Sequence, residues 1–278
     1  MRGFIYQLTG SRHATQLVVS LYSFRKKYPG ENVQLLCGDD FSMMVAENIY
    51  KDERIRGSFR YKKFDAICGK RRNGGYVDKT SVHELTDYSD NVFLDADTLV
   101  VGELEEVFPF GKEIVLTQFA EWKSNGPRIS GRVFKWSKFA PAEVARMLSK
   151  DWPAINTGVF GFKKDCPYMP AWKEMTNRNI SFIADEIASQ LIFPDFEHRI
   201  LDHRFNASVV HTNHFDTRVW HGHGKKFLKK ESGMRIWWPW FLEVWEKNIA
   251  NVRSWSPASD LLLAEQMQKH GISPVQAS

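Results

Sequence analysis

The chain has 278 residues, enough to bury the core of one large α/β domain or of two small ones. Hydrophobic residues make up 43% and charged residues 26%, which is ordinary for a globular protein, and no apolar run reaches the roughly 18 to 20 residues of a membrane-spanning helix. The net charge of +5 favours anionic partners such as nucleotide phosphates, anionic lipids or nucleic acid, but it is too small to identify a nucleic-acid-binding protein.

The cysteines and the N-terminus indicate a cellular compartment. Cys37, Cys68 and Cys166 are odd in number, far apart and without Cys-x-x-Cys spacing, which argues against a disulfide framework and against a zinc site. Met1–Leu8 leads directly into a strand-like segment, without the apolar region and cleavage site of a signal peptide. We therefore expect a cytoplasmic protein, with peripheral contact to the inner membrane surface left open and no obligate protein partner indicated.

The first forty residues have the pattern of a strand–helix–strand unit. Gly3–Leu8 and Val33–Cys37 are apolar strand segments, and Thr15–Lys27 between them has helical spacing. Such a unit starts a parallel sheet, and the loop Thr9-Gly10-Ser11 would lie at its carboxyl edge, where nucleotides usually bind. Neither GxGxxG nor GxxxxGK[ST] is present, so a Rossmann dinucleotide site and a P-loop are not supported.

Two carboxylates one residue apart stand between two apolar strand segments in Asn91–Gly102 (NVFLDADTLVVG). Burying Asp95 and Asp97 without a partner would be costly, so we expect them to reach water or to meet a cation. A divalent ion held there could also bind a diphosphate and neutralise a nucleotide-sugar leaving group. A solvated turn or a helix cap is the alternative interpretation.

Four further elements and two irregular stretches complete the first half of the chain. We predict helices at Phe41–Asp52, from Tyr76–Lys79 to Leu85 and at Glu103–Phe108, a strand at Ile114–Thr117, and a basic irregular stretch at Lys62–Arg72. Phe119–Pro153 shows no clear periodicity and carries Trp122, Trp136 and Trp152. We expect it to be a long loop that contacts the acceptor of a reaction, with surface filler as the alternative.

Two later segments place polar residues within apolar patterns. In Pro153–Lys163, the sequence Asn156-Thr157-Gly158 interrupts a strand, which indicates either close approach of a ligand to the backbone or a β-bulge. In Ala184–Phe193, a helical pattern starts with Asp185 and Glu186 in its first turn. The helix dipole favours carboxylates at that place, so a catalytic role needs support from elsewhere.

The C-terminal third contains a histidine–glycine–lysine cluster and an aromatic stripe. His221-Gly222-His223-Gly224-Lys225-Lys226 could complete a metal site and clamp phosphate. Trp238, Phe241, Leu242, Trp245 and Ile249 have helical spacing, with Pro239 expected in the first turn of the helix. We expect this helix to dock on the core, and contact with an anionic membrane is the alternative.

Five segments, in order, resemble family 8 glycosyltransferases, the group of glycogenin and the bacterial lipooligosaccharide galactosyltransferases. They are YVDKTSVHELTDYSDNVFLDADTLVVGEL, NTGVFGF, ADEIASQ, LDHRFN and HGHGK, and they fall where that family has its Asp-x-Asp, Asn-Ser/Thr-Gly, Asp-Gln, Leu-x-x-x-Phe/Tyr-Asn and His-x-x-Gly-x-x-Lys elements. The resemblance spans Gly3 to Lys226. Each motif is weak alone, but five in the same order are a specific pattern.

The resemblance implies a GT-A fold, a mixed and mainly parallel sheet flanked by helices, with a catalytic domain at 1–232 and an aromatic helical extension at 233–278. It implies transfer of a hexose from a nucleotide sugar, a UDP-sugar above all, with retention of configuration, to a glycan or glycolipid. Asp95, Asp97 and His221 would hold Mn²⁺ or Mg²⁺, and an imidazole ligand suits Mn²⁺ better. The donor would contact Thr9, Gly10, Lys79, Asp95, Ala96, Asp97, Gly158, Gly224, Lys225 and Lys226, and Asn156, Asp185 and Glu186 would lie beside the reacting sugar.

The chain departs from the family pattern at three places. Asp78 stands where the family often has Arg, which makes Lys79 an uncertain substitute. Glu186 replaces the Gln of the Asp-Gln pair and adds a carboxylate near the anomeric carbon. The lysine after His221 comes early, so the phosphate contacts at this end are open and His223 is a rival metal ligand.

Other functions are consistent with parts of the sequence. A sugar-1-phosphate nucleotidyltransferase would share the sheet, but its first loop would need more glycine than Thr9–His13 provides. A non-catalytic nucleotide- or glycan-binding module would not need the metal constellation. A modified base in DNA is an alternative acceptor, since the basic stretch and the tryptophans could hold an extruded base.

Overall fold

Strands and helices alternate through most of the chain. The computed structural model describes residues 1–68, 75–111, 113–180, 183–210, 216–224 and 226–272. The strands are β1 Arg2–Leu8, β2 Asn32–Cys37, β3 Ser58–Lys63, β4 Asp90–Leu94, β5 Thr98–Val100, β6 Ile114–Lys123, β7 Pro153–Lys163, β8 His198–Leu201, β9 Ala207–Ser208 and β10 Val219–His221. The α-helices are α1 Ala14–Lys27, α2 Asp40–Lys51, α3 Glu53–Arg56, α4 Gly75–Thr80, α5 Val82–Leu85, α6 Ser130–Phe134, α7 Pro141–Leu148, α8 Tyr168–Arg178, α9 Ala184–Ile192, α10 Lys226–Lys229, α11 Glu231–Glu246, α12 Val252–Ser259 and α13 Leu261–Lys269.

A seven-stranded sheet in the order β3-β2-β1-β4-β7-β6-β8 forms the centre of the molecule. Of these seven strands, only β7 runs against the others, because it pairs antiparallel with both β4 and β6. Apolar side chains cover both faces: one buried cluster joins the sheet to α1, α2 and the C-terminal helices, and the other joins it to α6–α9. The predicted mixed, mainly parallel α/β fold is confirmed.

The carboxyl ends of β1, β2 and β4 meet at one edge of the sheet. Because these strands are parallel, the residues after them, Thr9, Asp39 and Asp95, come together there. Strand β7 runs the opposite way and pairs Val159 with Leu94, so Asn156 precedes that pairing and lies at the same edge. Four chain segments that are distant in sequence therefore converge on one edge.

A second, three-stranded sheet in the order β5-β10-β9 stands beside this edge. Strand β5 follows the acidic turn directly, and β10 pairs antiparallel with it so that His221 lies opposite Thr98. This register places an imidazole from the last third of the chain next to Asp97.

The region Phe119–Pro153, expected to be a long loop, contains the end of β6 and the helices α6 and α7. The expectation of a loop was wrong, because the segment forms helices and Trp136 is only 2% exposed, packed in a buried apolar cluster; contact with an acceptor stays a prediction. Strand β6 is also longer than the predicted Ile114–Thr117, and the predicted helix at Glu103–Phe108 is a single 3-10 turn, Glu105–Val107. Helices as short as α6 and α7 contain too few residues to show a helical repeat of apolar positions in the sequence.

The C-terminal helix α11 packs on the core through its buried aromatic face. Pro239 lies in its middle and not in its first turn, because the helix begins at Glu231, seven residues before the aromatic stripe. The early start lets Gly233 pack so close to α10 that an added Cβ would meet the carbonyl oxygen of Lys226 at 2.3 Å. None of the helices in the described part of the chain has the length and apolar character that a bilayer span requires.

Candidate active site

Three potential metal ligands converge at the carboxyl edge of the sheet. One ligand atom from each of Asp95, Asp97 and His221 lies within 4.8 Å of the others. His221 Nε2 is 3.2 Å from Asp97 Oδ1 and 3.6 Å from Asp95 Oδ2. Asp97 and His221 are buried and Asp95 is partly exposed, so the cluster is a closed site with an opening at Asp95. The alternative of a solvated acidic turn does not describe this geometry.

Backbone hydrogen bonds fix the acidic turn between β4 and β5. The amide of Asp95 donates to the carbonyl of Gly158 at 2.8 Å, and the amide of Gly222 donates to the carbonyl of Asp97 at 2.8 Å. The amide of Gly224 donates to the Asp97 carboxylate. Burial opposes ionisation of Asp97, but His221 and the Gly224 amide outweigh it and hold the pKa of this carboxyl far below its ordinary value.

Gly158 makes room for the imidazole. A Cβ added at this glycine would lie 2.2 Å from His221 Cε1, so a side chain here would displace the ring. His223, the rival ligand, stacks on His221 with ring centroids 4.0 Å apart and contacts Phe119. It does not join the cluster of ligand atoms formed by the described residues. The structure thus brings His221, and not His223, to the two carboxylates.

Lys79 on α4 lies between the acidic turn and α9. Its Nζ is 2.8 Å from Asp95 Oδ1 and 3.2 Å from Asp185 Oδ2. Burial alone would lower the pKa of Lys79, but the two carboxylates outweigh it and raise this pKa above its ordinary value. The neighbouring Asp78 points away from the site and accepts the amides of Ile67 and Cys68 at 2.8 Å each.

Asp185 and Glu186, in the first turn of α9, are both buried and engaged by side chains. Thr157 Oγ1 donates to Asp185 Oδ2 at 2.8 Å, and Asn156 Nδ2 donates to Glu186 Oε2 at 3.0 Å. Arg132 on α6 reaches Glu186 Oε1 at 3.4 Å. Burial and the nearby Asp185 raise the pKa of Glu186 to about 7. The helix dipole alone would favour carboxylates here, but it does not account for the specific side chains that bind Asp185 and Glu186.

The predicted donor-binding residues flank the acidic turn. Thr9, Gly10 and Ala96 are half-buried, and the Gly10 amide donates to Asp39 Oδ2 at 2.6 Å. Gly38 has no side chain, which leaves space for Thr9, whose Oγ1 would be 2.1 Å from a Cβ at that position. Lys226 starts α10, where burial and then Arg132 lower its pKa. Lys225 lies outside the described residues, as do residues 70–72 of the basic stretch.

Four residues at the site were given no role from the sequence: His13, Gln16, Arg132 and Asn206, although Asn206 ends the matched LDHRFN motif. His13 Nδ1 and Gln16 Oε1 are 2.6 Å apart, and Gln16 Nε2 donates to the carbonyl of Gly224 at 3.0 Å. His13 also contributes to lowering the pKa of Asp97. A polar face at the start of α1, directly after the Thr9-Gly10 loop, was the available signal. For Asn206 the LDHRFN motif was the signal, whereas Arg132 reaches the site only through tertiary packing.

No protein-family model and no curated protein matches the chain. Solved structures do match. The galactosyltransferase LgtC in complex with donor and acceptor sugar analogues has a TM-score of 0.59 and 14% identity over 88% of this chain and 95% of that one. An active-site variant of LgtC has a TM-score of 0.57, with 15% identity over 89% of this chain and 96% of the other.

A second glycosyltransferase also shares the fold. GlyE of Streptococcus pneumoniae TIGR4 has a TM-score of 0.58 and 13% identity over all of this chain and 67% of its own. At such low identity these likenesses concern the fold alone. The chain has the GT-A fold seen in LgtC, a mainly parallel sheet flanked by helices, as its sequence motifs predicted.

Proposed function

We propose that the protein is a metal-dependent glycosyltransferase that moves a hexose from a nucleotide sugar, preferentially a UDP-sugar, to an acceptor hydroxyl. The observation that carries the proposal is the convergence of the ligand atoms of Asp95, Asp97 and His221 at the carboxyl edge of a GT-A sheet. Nucleotides bind at this edge in open α/β sheets. Asn156 and Asp185 lie next to the cluster, where the sugar of a bound donor would react.

The donor atoms of the cluster fit a divalent cation. Two carboxylates and one imidazole are ligands that Mn²⁺ accepts, whereas Mg²⁺ prefers oxygen alone. A bound ion would offset the negative charge that develops on the diphosphate leaving group. Lys79 contributes a positive charge beside Asp95, and Lys226 lies near Arg132 and interacts electrostatically with Asp97.

The chain's own residues would orient the sugar and the acceptor. Asp185 is held by Thr157 and by Lys79, whose Nζ is 3.2 Å from Asp185 Oδ2. A carboxylate at this place would stabilise positive charge that develops at the anomeric carbon. We propose retention of configuration, with the acceptor hydroxyl attacking from the face of the leaving group and giving its proton to the departing phosphate oxygen. Asp185 or Glu186 as transient nucleophile is the alternative route.

The acceptor would approach past α6. Arg132 on this helix touches Glu186, and Phe134, two residues further on, is 65% exposed. A guanidinium beside the reacting centre suits a glycan or the head of a glycolipid, because its N–H groups can donate to sugar hydroxyls. Glycosylation of a DNA base and contact with a membrane stay predictions that no contact of the described residues supports.

The test is a thermal-shift panel of UDP, GDP, CMP and UDP-hexoses, each with and without Mn²⁺. We expect a rise in Tm with one nucleotide that requires the ion and that is lost in Asp97→Asn. The ligand that gives the largest rise names the donor, and glycan acceptors are then assayed for product by mass spectrometry.

Asp87→Asn is the matched control, because Asp87 is an exposed carboxylate that precedes β4, at the end of this strand opposite the cluster, and it pairs with Arg60 and Lys62. It should leave the nucleotide-dependent rise unchanged. An ion-dependent rise that survives in Asp97→Asn would contradict the metal assignment. If no nucleotide raises Tm under either condition, the glycosyltransferase proposal fails and only the fold remains.

A further inference from the structure

Asn206, a residue without a role in the scheme above, lies at the centre of a buried hydrogen-bonded chain. It is 0% exposed, at the end of the short 3-10 helix His203–Asn206. Its Oδ1 is 2.8 Å from His221 Nδ1, and its Nδ2 donates to Asn156 Oδ1 at 2.7 Å and to Thr117 Oγ1 at 2.9 Å. Every polar atom of this side chain therefore has a partner.

The direction of these hydrogen bonds follows from one backbone amide. The amide of Gly158, which can only donate, points at the side-chain oxygen of Asn156 at 2.9 Å. The atom of Asn156 at that position is therefore an acceptor, and the group of Asn206 that faces it must be the NH₂. This orientation leaves the oxygen of Asn206 towards His221.

An oxygen at that place determines the tautomer of the imidazole. The amide oxygen of Asn206 accepts only, so His221 Nδ1 has to carry a proton. In the neutral ring the other nitrogen, Nε2, then has a free lone pair, and Nε2 is the atom that lies 3.2 Å from Asp97 Oδ1 and 3.6 Å from Asp95 Oδ2. The backbone of β7 thus determines, through two amide side chains, which nitrogen can bind an ion.

We infer that Asn206 is a positioning residue: it fixes the Nδ1-protonated tautomer of His221 and aims the Nε2 lone pair at the two carboxylates. The inference rests on the proposed function where it concerns the ion. The state of the imidazole itself follows from the chain's own hydrogen bonds. Partners of this kind behind a metal-binding histidine typically change metal affinity ten- to a hundredfold when they are removed.

The first experiment observes the wild-type protein and uses a variant only to assign its signals. Protein labelled with ¹⁵N-histidine is observed without metal at alkaline pH, where the ring is neutral, and the His221 signals are assigned by their loss in His221→Gln. We expect the proton of the neutral ring on Nδ1. A neutral ring with its proton on Nε2 in the wild-type protein would overturn the inference.

Three variants then separate positioning from simple packing. Asn206→Leu removes the acceptor, so we expect mixed tautomers and a Kd for Mn²⁺ about ten- to a hundredfold higher in calorimetry. Asn206→Asp keeps an acceptor towards Nδ1 and should keep the tautomer, but its second oxygen faces the acceptor oxygen of Asn156, so Tm should fall and the affinity should recover only in part. Thr117→Val is the control: it removes another hydrogen-bond partner of Asn206 from the same buried group and should lower Tm without changing the tautomer.

The outcomes distinguish this inference from the proposed function. Wild-type affinity and an unchanged tautomer in Asn206→Leu would overturn the positioning role even if the enzyme is a metal-dependent transferase. A wild-type protein that keeps the proton on Nδ1 but binds no Mn²⁺ would support the assignment of the tautomer and overturn the metal role in the proposed function. Loss of the tautomer in Thr117→Val as well would overturn the specific role of Asn206.

Discussion

Lys79 Nζ lies 2.8 Å from Asp95 Oδ1 and 3.2 Å from Asp185 Oδ2, so one ammonium group joins the acidic turn to α9. The Lys79 side chain is only 14% exposed. A cation in this place holds two carboxylates close together that would otherwise repel each other. It links the candidate metal cluster to the residue that would face the sugar.

Replacing Lys79 with Met should leave both carboxylates buried without a cation. Breaking a buried ion pair by removing one partner typically costs about 3 to 5 kcal/mol, and we expect a loss of unfolding free energy of that order in urea denaturation. Added Mn²⁺ should recover part of the loss, because an ion bound at Asp95 replaces the missing positive charge. Transfer activity should fall strongly.

Lys79→Arg is the matched control for charge. Arginine keeps the cation but not the compact geometry, so we expect most of the stability and a partial activity. Equal unfolding free energies for wild type and Lys79→Met would show that the ion pairs contribute no stability.

Gly158→Ala should weaken metal binding more than it weakens the fold. The added methyl group would lie 2.2 Å from His221 Cε1, so the ring has to move away from the two carboxylates. We expect a rise in the Kd for Mn²⁺, measured by calorimetry, by about tenfold or more. Gly30→Ala, where nothing lies within 4 Å of the new methyl group, should bind the ion as the wild type does. Wild-type affinity in Gly158→Ala would mean that His221 does not hold the ion.

The sheet and the acidic turn could be predicted because their signals are local. Apolar runs at Gly3–Leu8 and Val33–Cys37 mark neighbouring parallel strands, and Asp95 and Asp97 follow a third such run directly. A residue that directly follows a parallel strand lies at the carboxyl edge of the sheet, so its place in the sequence predicts its place in the fold. The same logic applies to Asn156, whose strand pairs with β4.

The remaining parts of the site depend on contacts that sequence spacing does not encode. Arg132 reaches Glu186 across 54 positions of the chain, and Asn206, although it ends the matched LDHRFN motif, reaches Asn156 across 50. Helix α6 has only five residues, too few to show a periodic pattern. Trp136 illustrates the error that results: in a segment without periodicity a buried tryptophan and an exposed one look the same.

Trp136→Ala tests that this segment is part of the core. The side chain is 2% exposed, and removing a buried aromatic ring typically costs about 3 to 5 kcal/mol. Phe134→Ala, two residues earlier and 65% exposed, should change the unfolding free energy by no more than about 0.5 kcal/mol. The pair is compared by urea denaturation. Similar losses of unfolding free energy in both variants would show that Trp136 is not part of the core and that the segment is a surface loop.

Glu186→Gln should remove a pH dependence from both stability and activity. Burial raises the pKa of Glu186 to about 7 from an ordinary value of 4.5, so the folded state binds this proton more tightly than the unfolded state. The stability linked to that proton is present below the ordinary value and is lost as the pH rises towards about 7. The wild type should therefore lose unfolding free energy relative to Glu186→Gln over this range, on the order of a few kcal/mol.

The same ionisation should appear in the rate. Asp185 raises the pKa of Glu186, whereas Arg132 and Lys79 lower it, so above about pH 7 a second carboxylate charge stands beside the reacting centre. We expect the wild-type kcat to change across this pH and the Glu186→Gln kcat to vary little there. Arg132→Gln sharpens the test, because loss of the guanidinium should move the wild-type transition to higher pH. If kcat changes at the same pH in Arg132→Gln as in the wild type, the titrating group is not Glu186. The same conclusion follows if Glu186→Gln shows the pH dependence of the wild-type kcat.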